Sequence, residues 1–514
     1  MSTCIRICGA YSYRLTRRHS TILLIALFIV IMTVIFQLYA YKHQEMPNFA
    51  AKVGDFDYIP GAFLSGNQPN ENASYCQFNY GLPKLIEWRN IQSLTPPEGG
   101  NGSSYRVIYN AIQGTAYANN SKYDALTYAT QATPEFLYHV AEIARYWDGP
   151  ISLSVFVPNF DMDITMQIMN QLCSCYSAMS KVSLHLFFPK RYPPKMRIPD
   201  SYYMTTEIPT TTANISIEDL LRGKLERYRK LNNQTRAEYV QWVRKKKVER
   251  MMARMPKRQL FVPQLIFNDC AGIDLFDIPT FRQENHLDYP INVGRNIARN
   301  ASRTNYFIVS DIELVPSDGL APKFLTMVRK LMGDKKRDEG RIFSKTVFVV
   351  PLFEVERGVE IPRDKDTLVR LINENRAKYF HQKVCAHCQR FPGLQSWLIR
   401  PSPSVIEPML IARREYPYHR WEPLYFGTQN EPWYSEELSW EGRQDKMTQM
   451  LEMCLQEYRM VVLDGAFLCH AAASRNGSRD HRAERINHRR YQTIISSFKQ
   501  KYQNIPKCKL MYGC

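Results

Sequence analysis

The sequence predicts an α/β domain built on a doubly wound parallel sheet, placed behind a single N-terminal transmembrane helix. Three observations predict it. An uncharged apolar run fills residues 21–41, strand-like and helix-like segments alternate from 105 to 189, and an apolar strand near 306 ends in two carboxylates. The chain has 514 residues, and that length holds about two to four domain-sized units with ample core. With 45% hydrophobic and 12% aromatic residues it is not a disordered chain, and 12 cysteines are too few for a disulfide-dense miniature scaffold. The net charge of +18 leaves nucleic acid, an anionic membrane and an acidic substrate all open until the charge is located.

The apolar run TILLIALFIVIMTVIFQLYAY meets the ~20 residues a helix needs to cross a bilayer. It is too long for a cleaved signal peptide, and no small-residue cleavage site follows it. Arg6, Arg14, Arg17 and Arg18 precede it, whereas only Lys42 follows closely. The positive-inside rule then makes residues 1–20 a cytoplasmic tail and 21–41 a signal anchor, with the rest in a secretory lumen. Such a type II protein has no access to nucleic acid. It is expected to carry N-glycans, and acceptor triplets occur at Asn72, Asn101, Asn119, Asn214, Asn233, Asn300 and Asn476. Its luminal cysteines are free to form disulfides.

Residues 42–103 are rich in Asn, Pro, Gly and Ser and read as a stem. The compact pattern then begins. YRVIYNAI reads as a strand, and PEFLYHVAEIARYW as a helix with Phe136, Val140, Ile143 and Trp147 on one face. ISLSVFVP, ITMQIMNQLCSCYSAM and VSLHLFFP follow as strand, helix and strand, the rhythm of a parallel sheet. Residues 222–258 interrupt it with 14 Lys+Arg against 3 acids. They read as surface helices with a basic face, or as a surface for an acidic glycan or anionic lipid. Together with residues 1–20 and 475–490 they hold the excess positive charge, so the rest of the chain is close to neutral.

The segment YPINVGRNIARNASRTNYFIVSDIELVPSDGL, residues 289–320, carries the chemistry. Its first half reads as a helix with Arg295 and Asn296 on early turns. Its second half reads as a buried strand ending at Asp311 and Glu313. Side chains two apart in an extended chain face the same way, so the carboxylates are expected to converge at a strand's C-terminal end, where α/β sheets bind ligands. Two acids with no positive partner repel, and a divalent cation such as Mg²⁺ or Mn²⁺ would relieve them. The bland reading is a solvated acidic pair. Cys385 and Cys388 flank His387, with His381 nearby; zinc ligation and a disulfide are both open, and a lumen favours the disulfide.

This acidic pair, in a luminal type II chain, resembles the D-x-D site of nucleotide-sugar transferases with the GT-A (Rossmann-like) fold. The order of motifs sharpens the likeness. YPINVGRNIARN, NYFIVSDIELVPSDGL, FVVPLFEVE at 348–356, VCAHC at 384–388, WEPLYF at 421–426, LDGAFLCH at 463–470 and IPKC at 505–508 are similar to the signature of glycosyltransferase family 49. The resemblance runs from about residue 104 to 508. It implies an inverting Golgi enzyme that moves glucuronic acid from UDP-glucuronate to a xylose-type acceptor in β-1,4 linkage. It places this in protein O-glycosylation such as O-mannosyl glycans, with Mn²⁺ as cofactor. It implies a nucleotide-sugar half at about 104–315 and an acceptor half at about 316–510. Its partners would be UDP-glucuronate, a glycan on a glycoprotein, the Golgi membrane, and a second copy or another glycosyltransferase in a complex.

Carried over by motif, Asp311, Glu313 and His470 take the metal positions. Arg295, Asn296, Asp311 and Lys446 are candidates for nucleotide-sugar contacts, because cationic side chains grip phosphate or carboxylate. Glu422 is the candidate base, held extended by Pro423, and Trp421 the candidate acceptor platform. Helix-surface ion pairs, a core Trp and a core His are the competing readings. The family usually has Asp where Glu313 stands, and the extra methylene adds roughly 1.3–1.5 Å of reach. That departure keeps two rivals open: a transferase using another UDP-sugar, and a catalytically weak Golgi partner of a related transferase.

Overall fold

Val, Ile, Phe and Leu runs form strands because their side chains fit a pleated, half-buried surface. In the computed structural model the described residues are 31–33, 58–70, 73–80, 91–196, 264–271, 278–333, 342–471, 480–502 and 508. Contacts divide the chain into Met1–Asp57 and Tyr58–Cys514. Of the first unit only residues 31–33 are described, and they are helical. The anchor expected at 21–41 otherwise lies outside the described residues, as do the basic segment 222–258, Asn72, Asn214, Asn233 and Asn476. Among the described residues no helix is long and apolar enough to cross a membrane. Asn101, Asn119 and Asn300 are exposed.

The second unit is a mixed α/β structure. Its strands are β1 (Gln77–Phe78), β2 (Tyr105–Gln113), β3 (Leu126–Ala132), β4 (Ile151–Phe156), β5 (Val182–Pro189), β6 (Tyr306–Asp311), β7 (Leu314–Pro316), β8 (Thr346–Val350), β9 (Leu352–Val355), β10 (Ala377–Tyr379), β11 (Glu407–Ala412), β12 (Leu424–Gly427), β13 (Arg459–Asp464) and β14 (Leu468–Ala471). The helices are α1 (His139–Tyr146), α2 (Asp161–Cys175), α3 (Phe281–Glu284), α4 (Ile291–Asn300), α5 (Leu320–Met332), α6 (Lys365–Asn373), α7 (Leu394–Ile399), α8 (Met447–Leu455) and α9 (His481–Lys501). A ten-stranded sheet runs β1-β2-β5-β4-β3-β6-β12-β8-β13-β11, and a four-stranded sheet runs β10-β9-β14-β7.

The all-parallel expectation is corrected here. β5-β4-β3-β6 is parallel, but β2 joins β5 antiparallel and β12 lies antiparallel to both neighbours. The strand the alternation began with, Tyr105–Gln113, is therefore not part of the parallel run. The strand that starts that run is Leu126–Ala132, whose LTYATQA sequence is polar yet buried throughout. Thr127 and Gln131 have partners inside the fold, and burial of a polar side chain is tolerated when it is hydrogen-bonded; the buried Thr130 hydroxyl has none among the described residues. Thr127 Oγ1 meets Thr304 Oγ1 at 2.5 Å, and Gln131 reaches the site described below.

Helix α4 lies close against β3 and β4. A Cβ on Gly294 would come within 2.9 Å of the Gln131 Cβ and 3.1 Å of the Ser154 Oγ, so only glycine permits this approach. Ser154 donates to the Gly294 carbonyl at 2.8 Å and Ser152 to that of Ala298 at 2.6 Å. These bonds seat the helix at a fixed height over the strand ends.

Among the described residues four disulfides join Cys76–Cys173, Cys175–Cys270, Cys385–Cys388 and Cys454–Cys508, and Cys469 is a buried thiol. The first ties the β1 segment to the end of α2. The last closes a span of 54 residues and pins α8 under α9, where Met447, Leu451, Tyr491 and Ile495 form a small core. Replacing Cys454 and Cys508 together by Ala is expected to cost about 2–4 kcal/mol of stability, the usual worth of such a cross-link. Urea denaturation checks this, and an unchanged midpoint would contradict it.

Candidate active site

β6 ends at Asp311, residues 312–313 turn, and the chain re-enters the smaller sheet as β7. The extended D-x-E strand expected from the sequence is thus replaced by a turn between two sheets. Tyr128 fixes the turn from below. Its hydroxyl contacts Ser310 Oγ at 2.9 Å and the Leu314 carbonyl at 2.8 Å. The turn gives the two acids separate surroundings.

Asp311 has positive partners, contrary to the premise of an unrelieved acidic pair. Oδ1 accepts from Arg295 Nη2 at 3.0 Å and from Gln131 Nε2 at 2.9 Å, and Oδ2 accepts from Lys446 Nζ at 3.1 Å. Gln131 stands opposite Asp311 in the β3–β6 register, which is why it reaches. Desolvation works to raise the Asp311 pKa, but Lys446 and Arg295 outweigh it and hold the carboxylate ionised far below its ordinary range. Burial likewise opposes the charge on Lys446, and Asp311 more than offsets it, so the ammonium is raised.

Arg295 is 2% exposed. Besides Asp311 it bonds the Asp445 carboxylate and donates to Asn292 Oδ1 at 2.9 Å. Asn296 is fully buried; its amide donates to the Tyr434 carbonyl at 2.8 Å and accepts from the Tyr434 N–H at 3.1 Å. Asn292 donates to the Ser435 and Asp445 carbonyls, each at 2.8 Å, and Arg299 to the Pro432 carbonyl at 2.8 Å. Positions 292, 295, 296 and 299 share one helix face. This polar face grips the segment 429–446 and so carries Asp445 and Lys446 to the strand end. Arg295 and Asn296 act here as buried clamps, with their polar groups engaged inside the protein.

Glu313 pairs with His470 on β14, Oε2 to Nε2 at 3.4 Å. Desolvation pushes the Glu313 carboxyl up, but the His470 hydrogen bond, followed by the electrostatic influence of the nearby His139 and His470 imidazoles, brings it below its usual range. Among the described residues no three His, Cys, Asp or Glu side chains converge to hold a metal unaided. The donor chemistry still fits. Glu313 and His470 offer an oxygen and a nitrogen, which suit Mn²⁺. Asp311 Oδ2 carries one side-chain bond, from Lys446, where a carboxylate oxygen takes two. A cation here would draw its remaining ligands from phosphate oxygens.

Glu422 precedes β12. Its backbone is fastened to the 385–389 loop: its N–H donates to the Cys388 carbonyl at 2.8 Å, and Gln389 Nε2 donates to its carbonyl at 2.9 Å. The carboxylate itself has no hydrogen bond or ion pair among the described residues. Desolvation raises its pKa to about 7, with Lys446 pulling the other way, Asp445 adding to the rise, and Arg414 and Arg295 opposing it. Trp421 corrects the sequence reading. It is 1% exposed, belongs to the core with Tyr425, Met450 and Tyr458, and offers no ring face to a sugar. The Cys385–Cys388 bond settles the zinc alternative in favour of the disulfide.

Residues 125–505 match the family described as glycosyl-transferase for dystroglycan, about three quarters of the sequence. The chain belongs to this glycosyltransferase family. β-1,4-Glucuronyltransferase 1 of Homo sapiens is 24% identical over 435 residues, covering 83% of this chain and 87% of the relative. The same-named protein of Danio rerio is 29% identical over 225 residues, covering 43% and 50%. Xylosyl- and glucuronyltransferase LARGE1 of Danio rerio is 26% identical over 223 residues, covering 42% and 26%. In this glycosyltransferase the site includes residues that sequence reasoning missed. Gln131 hides in the polar strand β3. Asp445 was signalled only by its adjacency to Lys446. His139 on α1 lies within electrostatic range of Glu313 and His470, and burial lowers its imidazole to about 4, so it is neutral at pH 7.

Proposed function

We propose that this chain is an inverting, GT-A-type transferase that moves glucuronate from UDP-glucuronate to a xylose-type acceptor in β-1,4 linkage. The observation that carries the chemistry is the unpartnered Glu422 carboxyl, with its pKa raised to about 7 near Lys446 and Asp445. A general base works best when its pKa lies near the working pH. The names of the relatives supply the donor class.

In this reading the ionised Glu422 takes the proton of an acceptor hydroxyl. The hydroxyl oxygen forms a bond to the anomeric carbon as the bond from that carbon to the UDP oxygen breaks. Attack opposite the leaving group turns the α-linked donor into a β-linked product. Lys446 lies beside Asp311 as a fixed positive charge for the diphosphate, and Arg295 and Gln131 keep Asp311 aimed. Glu313 and His470, with Asp311 adjoining, would hold Mn²⁺, which when bound neutralises negative charge on the leaving diphosphate. Residues 104–315 would take the nucleotide sugar and 316–510 the acceptor, on a Golgi type II anchor formed by 21–41 and a stem from 42.

Glu313, where the family usually has Asp, favours one second reading: a catalytically weak partner of a related transferase. One experiment separates the two. The purified luminal chain is given a panel of UDP-sugars with an aryl β-xyloside, in Mn²⁺ or EDTA. Turnover of UDP-glucuronate alone, lost in EDTA, is expected. A folded protein that turns over no donor would sink the enzyme reading, and activity gained in Glu313→Asp would trace the weakness to metal geometry.

A further inference from the structure

The buried Trp421 leaves the acceptor side without the aromatic face assigned to it, and one other ring near the acids meets that need. His381 follows β10 and is exposed. Its imidazole stacks on Phe380 with ring centres 3.8 Å apart and planes 20° apart. Phe380 in turn meets His470 edge to face at 5.3 Å. The row Phe380–His381 therefore extends from His470 toward solvent.

The backbone holds His381 in a costly conformation. Its φ is +60°, the left-handed region that suits glycine and is disfavoured for a residue with a Cβ. Glu354 stabilises it by accepting the His381 N–H at 3.1 Å, and Lys378 anchors Glu354 at 3.3 Å. Glu354 lies opposite His470 in the β9–β14 register, so the brace and the metal candidate share one sheet. The His381 carbonyl accepts from the N–H of Cys385 at 2.8 Å, Cys385 is disulfide-bonded to Cys388, and the Cys388 carbonyl accepts from Glu422. One cross-linked loop thus carries an exposed ring at its start and fastens the candidate base at its end.

We propose that the His381 ring is the platform on which the C–H face of the acceptor sugar packs, set by the 381–388 loop at a fixed offset from Glu422. The proposal rests on the glucuronyltransferase reading for its choice of acceptor over donor: the loop that carries the ring also fastens the backbone of the group that takes the acceptor's proton. A neutral ring suits packing against C–H groups, and desolvation followed by the Lys446 charge lowers the His381 pKa, so the ring is neutral at pH 7. Strain kept at a non-glycine residue that could be relieved by losing its side chain is the kind of cost found at functional sites.

Two measurements test it, and the first needs no turnover. Diethyl pyrocarbonate acylates exposed neutral imidazoles, and the His381 peptide is followed by mass spectrometry. Saturating methyl β-xyloside is expected to slow acylation of His381, while UDP alone leaves it unchanged. No protection by the xyloside would overturn the platform even if the chain transfers glucuronate, and protection without transfer would fault the activity reading alone. In the second, His381→Ala raises the acceptor KM about three- to tenfold and leaves the donor KM unchanged, as expected for a lost stacking contact. His381→Phe restores the acceptor KM, and His381→Gly raises the Tm while keeping the acceptor defect. An Ala variant with normal acceptor KM, or a Phe variant as poor as Ala, would contradict the proposal.

Discussion

Glu422→Gln is expected to lower kcat by about a hundred- to ten-thousandfold, the usual worth of a positioned general base. The loss should be one of chemistry. The side chain keeps its size, and the fastening of residue 422 to Cys388 and Gln389 runs through its backbone. Desolvation lifts the carboxyl from its ordinary 4.5 to about 7 against the pull of Lys446. In the wild type kcat/KM should therefore rise through about pH 7 as Glu422 ionises, then level off, and the glutamine variant should lack that limb. The sign for stability is opposite. An acid whose folded pKa is raised binds its proton more tightly when folded, so this group's contribution to stability falls as pH rises from 4.5 to about 7. The variant carries no charge there and should be at least as stable as wild type at pH 8. A variant that loses activity and Tm together would point to a structural role.

Arg295→Ala should produce the largest loss of stability. The guanidinium is 2% exposed and lies between Asp311 and Asp445. Removing it leaves Asp445 without its ion-pair partner and Asp311 with Lys446 as its one remaining cation beside the Gln131 amide, and stripping one partner from a buried ion pair costs about 3–5 kcal/mol. Activity should fall as well, because Asp311 and the segment bearing Lys446 lose their common tie. Arg295→Lys should recover little, since one ammonium cannot span two carboxylates as a planar fork does. Equilibrium denaturation decides it: a change of only about 1 kcal/mol, as for an exposed pair, would mean that Arg295 does not organise the site.

The sequence made the strands and helices of 105–189 legible because their apolar residues follow the periods of 2 and 3.6. It hid Leu126–Ala132, a central strand whose two threonines and glutamine break any apolar period of 2, although the whole strand is buried. It offered the 292, 295, 296, 299 face openly, and the residue types invited a ligand-facing reading. What it could not reveal is that this helix is covered on its polar side by 429–446, a contact more than a hundred residues away in sequence. The same limit affected Trp421, where a large aromatic beside an acid looks alike in a core and in a cleft. The D-x-E spacing held, but its geometry depended on Tyr128 pinning a turn beneath it. Cys385 and Cys388 are too few to complete a zinc site, and the disulfide was the reading that needed no further ligands.

The central claim is inverting transfer with Glu422 as the base, and the stereochemistry of the product tests it most directly. The purified protein is incubated with UDP-glucuronate, an aryl β-xyloside and Mn²⁺, and the disaccharide is examined by proton NMR. The account predicts a glucuronide whose anomeric proton shows the large coupling of a β linkage. An α-linked product would contradict it, because retention would make direct displacement assisted by Glu422 untenable.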